Sequence, residues 1–138
     1  MANNKRPDGL TLVPWTNGKC LVWDFTTPDT FAPSYLPHTS TFPGAAAARK
    51  ETEKKRKYAE LEDRYLVVPV VVETTGVWGQ EGLRWVRQIG SRIKDKTGER
   101  RATSYLIQRI SLAVQRGNVT AILGSLPAGR KLEEIYLL

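Results

Sequence analysis

The sequence contains few of the residues that build disulfides, zinc sites or nucleophile–histidine pairs. It has one cysteine, Cys20, and one histidine, His38. These exclude an intramolecular disulfide and a zinc cluster of Cys and His. No apolar run approaches the roughly 20 residues that span a bilayer, and residues 1–6 lack the apolar core of a signal peptide. We therefore expect a soluble intracellular protein with no membrane contact and no small-molecule cofactor.

The chain is basic and long enough for one domain. Its 138 residues include 21 Lys and Arg against 14 Asp and Glu, a net charge of +7. A surface of this sign concentrates polyanions, of which nucleic acid is the commonest. A basic surface that serves only solubility is the alternative. We predict a single domain over residues 1–126 and a C-terminal tail over residues 127–138.

The first half predicts a β-hairpin, a loop and a helix. Residues 10–13 and 20–26 are predicted strands, joined through an Asn17-Gly18 turn in which both residues tolerate positive φ. Residues 27–44 are Pro-rich and predict a loop without regular elements. The alanine-rich and then charged residues 45–63 predict a helix.

The second half predicts a strand and two helices. Residues 65–73 are a nearly continuous valine-rich run, typical of a strand buried on both faces. Pro69 within it indicates a bulge or an unpaired edge. Helical spacing of apolar residues predicts helices over 79–96 and 99–123, with Gly117 kinking or dividing the second. The order β-β-α-β-α-α indicates an α/β or α+β domain.

Two aspartates suggest a metal site. Asp8 lies in Arg6-Pro7-Asp8-Gly9, before the first strand, and Asp24 interrupts the apolar run of the second. A hairpin brings the two near each other, and carboxylate oxygens suit Mg²⁺ or Mn²⁺ bound to a phosphate. The alternatives are a turn-capping Asp8 and an Asp24 in a strand-end salt bridge.

The predicted helix adds a lysine-rich face. Lys50, Lys54 and Leu61 fall near Lys57 on a helical wheel, with Tyr58 beside them, so a lysine here can reach over the strand ends. A solvated basic face is the alternative. Glu73, at the end of the buried strand, is a second-tier site candidate, and its alternative is an acid that caps the turn over residues 74–76.

Together, Arg6-Pro7-Asp8, Asp24 and Lys57-Tyr58 resemble the PD-(D/E)XK nuclease pattern. More narrowly, they resemble the restriction-like endonuclease domain at the C-terminus of some non-LTR retrotransposon polyproteins. In that group, Arg/Lys-Pro-Asp precedes a short strand that ends in an aspartate. A helix then carries a Lys-Tyr pair in place of the usual lysine after the acid, where this chain has Thr26.

The resemblance implies a restriction-endonuclease-like core, a β-hairpin followed by helix-strand-helix-helix. It implies a metal-dependent endonuclease that nicks target DNA in the nucleus so that the 3′ end primes reverse transcription. DNA and the rest of a reverse-transcriptase polyprotein would be the partners. Asp8 and Asp24 would hold Mg²⁺ or Mn²⁺, and Lys57 and Tyr58 would complete the catalytic group. The candidate phosphate contacts are Arg6, Lys50, Lys54, Arg84 and Arg87.

The chain departs from the family pattern at its start. The family core begins with a helix and a strand, whereas five residues precede Arg6 here. We therefore expect an N-terminally truncated core, as in a fragment of a larger polyprotein or a truncated copy. Two other functions stay open: a non-catalytic basic nucleic-acid-binding module, and an interaction domain whose basic face meets an acidic protein.

Overall fold

The computed structural model describes residues 6–125 and shows a mixed α/β fold, as the order of sequence patterns predicted. The predicted tail over residues 127–138 lies outside the described residues. The elements in chain order are β1 (Gly9–Leu10), β2 (Cys20–Thr26), α1 (Leu36–Thr39), α2 (Ala45–Lys57), a 3₁₀ turn (Ala59–Leu61), β3 (Tyr65–Val71), α3 (Gln80–Thr97) and α4 (Ala102–Gly124).

The three strands form one sheet in the order β1-β2-β3. β2 pairs antiparallel with β1 and parallel with β3, in a register that places Asp24 opposite Pro69. Parallel neighbours require a crossover connection, which α2 provides. Helix α2 covers the face that carries Asp24, and three buried alanines at its start, residues 45–47, allow the backbones to approach closely. Helix α3 covers the other face, where Trp23 stacks on Trp85 with ring centroids 5.5 Å apart.

Pro69 lies within β3 without breaking the ladder. The Val72 N–H donates to the Thr26 carbonyl, whereas the Val71 carbonyl accepts from Gly79 on the opposite side. Backbone groups of successive residues point to opposite sides of a strand, so position 69 directs its nitrogen away from β2. The prediction of an unpaired edge at this proline is confirmed.

The hairpin turn is confirmed, but the first strand is shorter than predicted. Asn17 and Gly18 both have positive φ, and residues 16 and 19 form a bridge. β1 ends at Leu10, not at residue 13, because the Thr11 hydroxyl accepts the Leu21 N–H in place of a backbone group. The chain then leaves the sheet with the side chain of Leu12 95% exposed.

Four other features differ from the predictions. The short helix α1 lies inside the predicted loop, because a proline in the first turn of a helix loses no hydrogen bond there, and Pro37 occupies that position. Helix α2 ends at Lys57, not at residue 63, since Tyr58 turns into the core. Strand β3 ends at Val71 rather than at residue 73, and α4 continues unbroken through Gly117.

Helices α2 and α3 begin at glycines and are capped by carboxylates from other elements. Glu73, fully buried beyond β3, accepts the Ala47 N–H of α2 at 3.1 Å. Glu51, on α2, accepts the Glu81 N–H of α3 at 2.9 Å. A carboxylate at a helix N-terminus satisfies a free N–H and complements the helix dipole. Burial is the main reason that the pKa of Glu51 is raised.

Glycines 90 and 117 give opposite expectations on alanine substitution. A Cβ on Gly90 would lie 2.8 Å from the Thr103 Cα, where α3 crosses α4, whereas a Cβ on Gly117 would meet no atom within 4 Å. Gly90→Ala should lower the free energy of unfolding by about 1–3 kcal/mol through overpacking. Gly117→Ala should raise it by up to about 1 kcal/mol through helix propensity. Urea unfolding of both variants measures the difference, and equal effects would contradict the helix crossing.

Candidate functional site

Asp24 is a nearly buried charge at the centre of the sheet. Its residue is 5% exposed, and it projects from β2 toward α2. The Lys54 ammonium lies 2.6 Å from Asp24 Oδ2, and the Lys54 side chain is 17% exposed. Burying a carboxylate is costly unless a counter-charge accompanies it. The ion pair therefore explains how β2 tolerates an acid among apolar residues, and it is a salt bridge of the kind that the sequence analysis considered for Asp24.

Asp8 brackets Asp24 through the backbone. Its N–H donates to the Trp23 carbonyl at 3.0 Å, and its Oδ2 accepts the Phe25 N–H at 2.7 Å. These two bonds hold the residues on either side of Asp24. The hairpin thus brings the two aspartates together, as expected from the sequence. The Asp8 carboxylate thus binds the backbone of β2, which is a different contact from the turn cap considered for Pro7-Asp8-Gly9.

Tyr58 closes the group from the end of α2. It is 1% exposed, and a side-chain hydrogen bond to Asp24 is among the interactions of its hydroxyl that shift its pKa. Burial first, and then the negative charge of Asp24, raise the pKa of the Tyr58 phenol above its usual value, while Lys54 opposes the shift and Asp8 adds to it. The phenol therefore keeps its proton and offers a donor beside two carboxylates.

The lysine at the carboxylate is Lys54 rather than Lys57. Lys57 is exposed, and its Nζ lies 5.2 Å from the centroid of the Tyr58 ring. Lys50 pairs with Glu53 at 3.2 Å. The wheel placed all three lysines on neighbouring positions and did not choose among them. Lys54 lies four residues before Tyr58 and therefore on the same face of the helix, but the sequence does not show which face of α2 meets the sheet.

The remaining candidates lie elsewhere. Glu73 contacts the first turn of α2, whereas Lys54 and Tyr58 lie at the other end of that helix, so the structure does not bring Glu73 into the group. Its backbone, rather than its side chain, forms the turn that ends at Gly76. Arg6, Arg84 and Arg87 are exposed. Arg84 lies at the edge of a cavity of about 470 Å³ that Trp15 and Trp85 also line.

Asp8 and Asp24 suit a metal ion that takes most of its ligands from water and phosphate oxygens. In the described part of the chain, no group of three or more His, Cys, Asp or Glu side chains is placed to hold a metal. Asp8 and Asp24 supply two carboxylates, and Oδ2 of Asp24 is in contact with the Lys54 ammonium. Mg²⁺ is commonly held by one or two carboxylates with water and phosphate oxygens. The donor set fits such an ion.

Comparison with protein-family models, with curated proteins and with solved structures finds no match to this chain. Between residues 6 and 125, no helix has the length and apolar character that crossing a membrane requires.

The raised pKa of Tyr58 predicts a loss of stability at alkaline pH. The neutral phenol is favoured in the fold, so its contribution is present below its unfolded pKa of about 10 and is lost as pH rises through the higher folded value. Between about pH 9 and pH 11, the wild type should lose more free energy of unfolding than Tyr58→Phe. Tyr105→Phe, at a half-exposed tyrosine, is the control and should follow the wild type. Parallel curves for wild type and Tyr58→Phe would contradict the buried phenol.

Proposed function

We propose that this chain is a metal-dependent DNA endonuclease domain with a catalytic group of Asp8, Asp24, Lys54 and Tyr58. The supporting observation is the ion pair of Lys54 with the buried Asp24, beside a second carboxylate and the buried phenol of Tyr58. A core that needed Asp24 only for stability would be equally served by apolar residues of similar volume. The Lys54–Asp24 charge pair beside Asp8 and Tyr58 is better explained by a catalytic role.

Each residue has a distinct part in this proposal. Asp8 and Asp24 would hold Mg²⁺ or Mn²⁺, which when bound supplies an activated water and neutralises charge on a phosphodiester. Lys54 would place its ammonium where negative charge develops on the scissile phosphate. Tyr58, which keeps its proton, would donate a hydrogen bond to a phosphate oxygen. Asp8 also positions Asp24 through its bond to Phe25.

The arrangement of elements supports the finer fold assignment. An antiparallel pair, a crossover helix that bears the lysine and a parallel strand follow the order of a restriction-endonuclease-like core after its first helix and strand. Within this proposal, Lys54 takes the role that the sequence pattern gave to Lys57, and Lys57 packs over Tyr58. Nicking that primes target-site reverse transcription, action within a reverse-transcriptase polyprotein and a nuclear location are further parts of the same proposal.

A nicking assay on supercoiled plasmid with Mg²⁺ or Mn²⁺ tests the catalytic group. Asp24→Asn should abolish nicking, and Lys54→Met should lower the rate by about 100-fold or more, as expected for removing one charge-stabilising group. Lys57→Met is the matched control on the same helix and should change the rate by less than about 10-fold.

Folding is controlled separately, because Lys54→Met leaves a buried carboxylate unpaired. The double variant Asp24→Asn/Lys54→Met removes both charges, so it should keep the wild-type circular dichroism spectrum and DNA affinity while remaining inactive. Wild-type nicking by Asp24→Asn, or a larger loss in Lys57→Met than in Lys54→Met, would contradict the assignment.

A non-catalytic DNA-binding module is the second candidate. The observation in its favour is that, among the described residues, the site has two acids, Asp8 and Asp24. A larger cluster of acids would bind a metal more tightly. In that case, the wild type would bind DNA in a salt-sensitive manner and would not nick it with either metal. The two functions share the basic surface and differ only in the chemistry at Asp24.

Salt dependence tests that surface. Arg84 and Arg87 are exposed on α3 and form no ion pair with another described residue. If both contact phosphates, Arg84→Gln/Arg87→Gln should reduce the slope of log K against log salt by about 1–2 between roughly 50 and 200 mM NaCl. Lys94→Gln/Lys96→Gln, with the same charge loss in the last turn of α3, should change it less. Equal slopes for both variants would place the phosphate contacts elsewhere.

A further inference from the structure

Helix α4 carries a row of large apolar side chains on its solvent side. Tyr105, Leu112, Val119 and Ile122 are between 48% and 62% exposed. We call these four residues the α4 stripe. Their spacings of seven, seven and three residues place them along one side of the helix, at heptad intervals, with the polar Gln108 and Gln115 between them. Single exposed apolar residues are ordinary, whereas four on one side of the same helix form a candidate interaction surface.

Packing of α4 onto its own domain does not account for the α4 stripe. Val114 is buried, and Ile110 and Ala113 line a groove of about 640 Å³ that Trp23 also lines. At 100° per residue, this inner side lies roughly opposite Leu112. The helix therefore has two apolar sides: one buries Val114 against the domain and also lines the groove, and the other carries the α4 stripe.

The charges beside the α4 stripe are of one sign. Helix α4 contains Arg109 and Arg116 and no Asp or Glu. Each arginine lies four residues after a stripe residue, Tyr105 or Leu112, so both flank the row on the same side. Neither forms an ion pair with any residue that the structure describes. Positions that flank a coiled-coil seam select partners by opposite charge.

A second copy of this chain fits the α4 stripe poorly. In an antiparallel pair, flanking positions of the same kind meet, so Arg109 of one copy would face Arg116 of the other. In a parallel pair, the arginines would face Ser104 and Ser111, which offer no charge. Neither arrangement supplies a carboxylate, and each brings together two chains of net charge +7.

We propose that the α4 stripe is a docking surface for an amphipathic helix of a partner polypeptide, with acidic residues beside its apolar seam. Stripe residues would supply the buried contact, and Arg109 and Arg116 would pair with the partner's carboxylates. The surface is separate from the Asp24 group, so the proposal does not depend on nuclease activity.

A designed helical peptide of four heptads, with Leu and Val in its seam and Glu at both flanking positions, is the probe. Its matched counterpart carries Lys in place of each Glu. Fluorescence anisotropy with the full chain should show binding of the Glu peptide and not of the Lys peptide. Leu112→Gln/Val119→Gln and Arg109→Gln/Arg116→Gln should each weaken that binding by at least about 10-fold.

The chain supplies matched controls for both double variants. Leu12→Gln/Val13→Gln removes the same two residue types from another exposed position, and Lys94→Gln/Lys96→Gln removes two positive charges from α3. Both should bind the Glu peptide as the wild type does. Loss of binding in these controls would mean that general charge or hydrophobicity, and not the α4 stripe, drives it.

Five results would overturn the proposal. Equal binding of the Glu and Lys peptides, or binding of neither, would rule out an acidic helix as the partner of the α4 stripe. A dimer in analytical ultracentrifugation that Leu112→Gln/Val119→Gln dissolves would identify a second copy as the occupant. Stripe-dependent binding to vesicles of phosphatidylserine and phosphatidylcholine would indicate a lipid surface. Loss of duplex DNA affinity in Leu112→Gln/Val119→Gln would assign the surface to DNA.

Discussion

The burial of one carboxylate, that of Asp24, constrains the arrangement of the elements around it. β2 is the described strand with a neighbour on each side, and an acid there requires a counter-charge that reaches over the sheet. Lys54 supplies it, and this contact sets the rotation of α2 about its axis. With Lys54 facing the sheet, Tyr58 enters the core at the end of the helix, and Lys57 lies at the surface.

The same contact joins stability to the proposed chemistry. A carboxylate neutralised by a lysine is acceptable to the fold, and a carboxylate shared with a metal and a phosphate would be useful to a nuclease. The two states would place different demands on Lys54, which neutralises the carboxylate in the first and would face a phosphate in the second. Tyr58 adds a hydrogen-bond donor. Its raised pKa favours the protonated phenol both with the Lys54 ion pair and with a bound metal and phosphate.

Local patterns were sufficient for most of the fold. The Asn17-Gly18 turn, the limits of β2, the two long helices and the edge position of Pro69 follow from residue type and spacing over a few positions. The sequence could not choose Lys54 over Lys57, because helix rotation is decided by a residue on another strand. It also missed the ends of β1 and α2, which depend on the Thr11 hydroxyl and on the burial of Tyr58.

The exchange of caps between elements has a consequence for how the protein folds. Helices α2 and α3 each begin at a glycine, and their capping carboxylates lie 26 and 30 residues away in the chain. Starting a helix is its most unfavourable step, and a cap supplied by another element can assist only once that element is in position. The first turns of α2 and α3 therefore gain stability together with β3, which makes formation of this unit cooperative. Helix α4 has no such dependence and is free to acquire its turns independently.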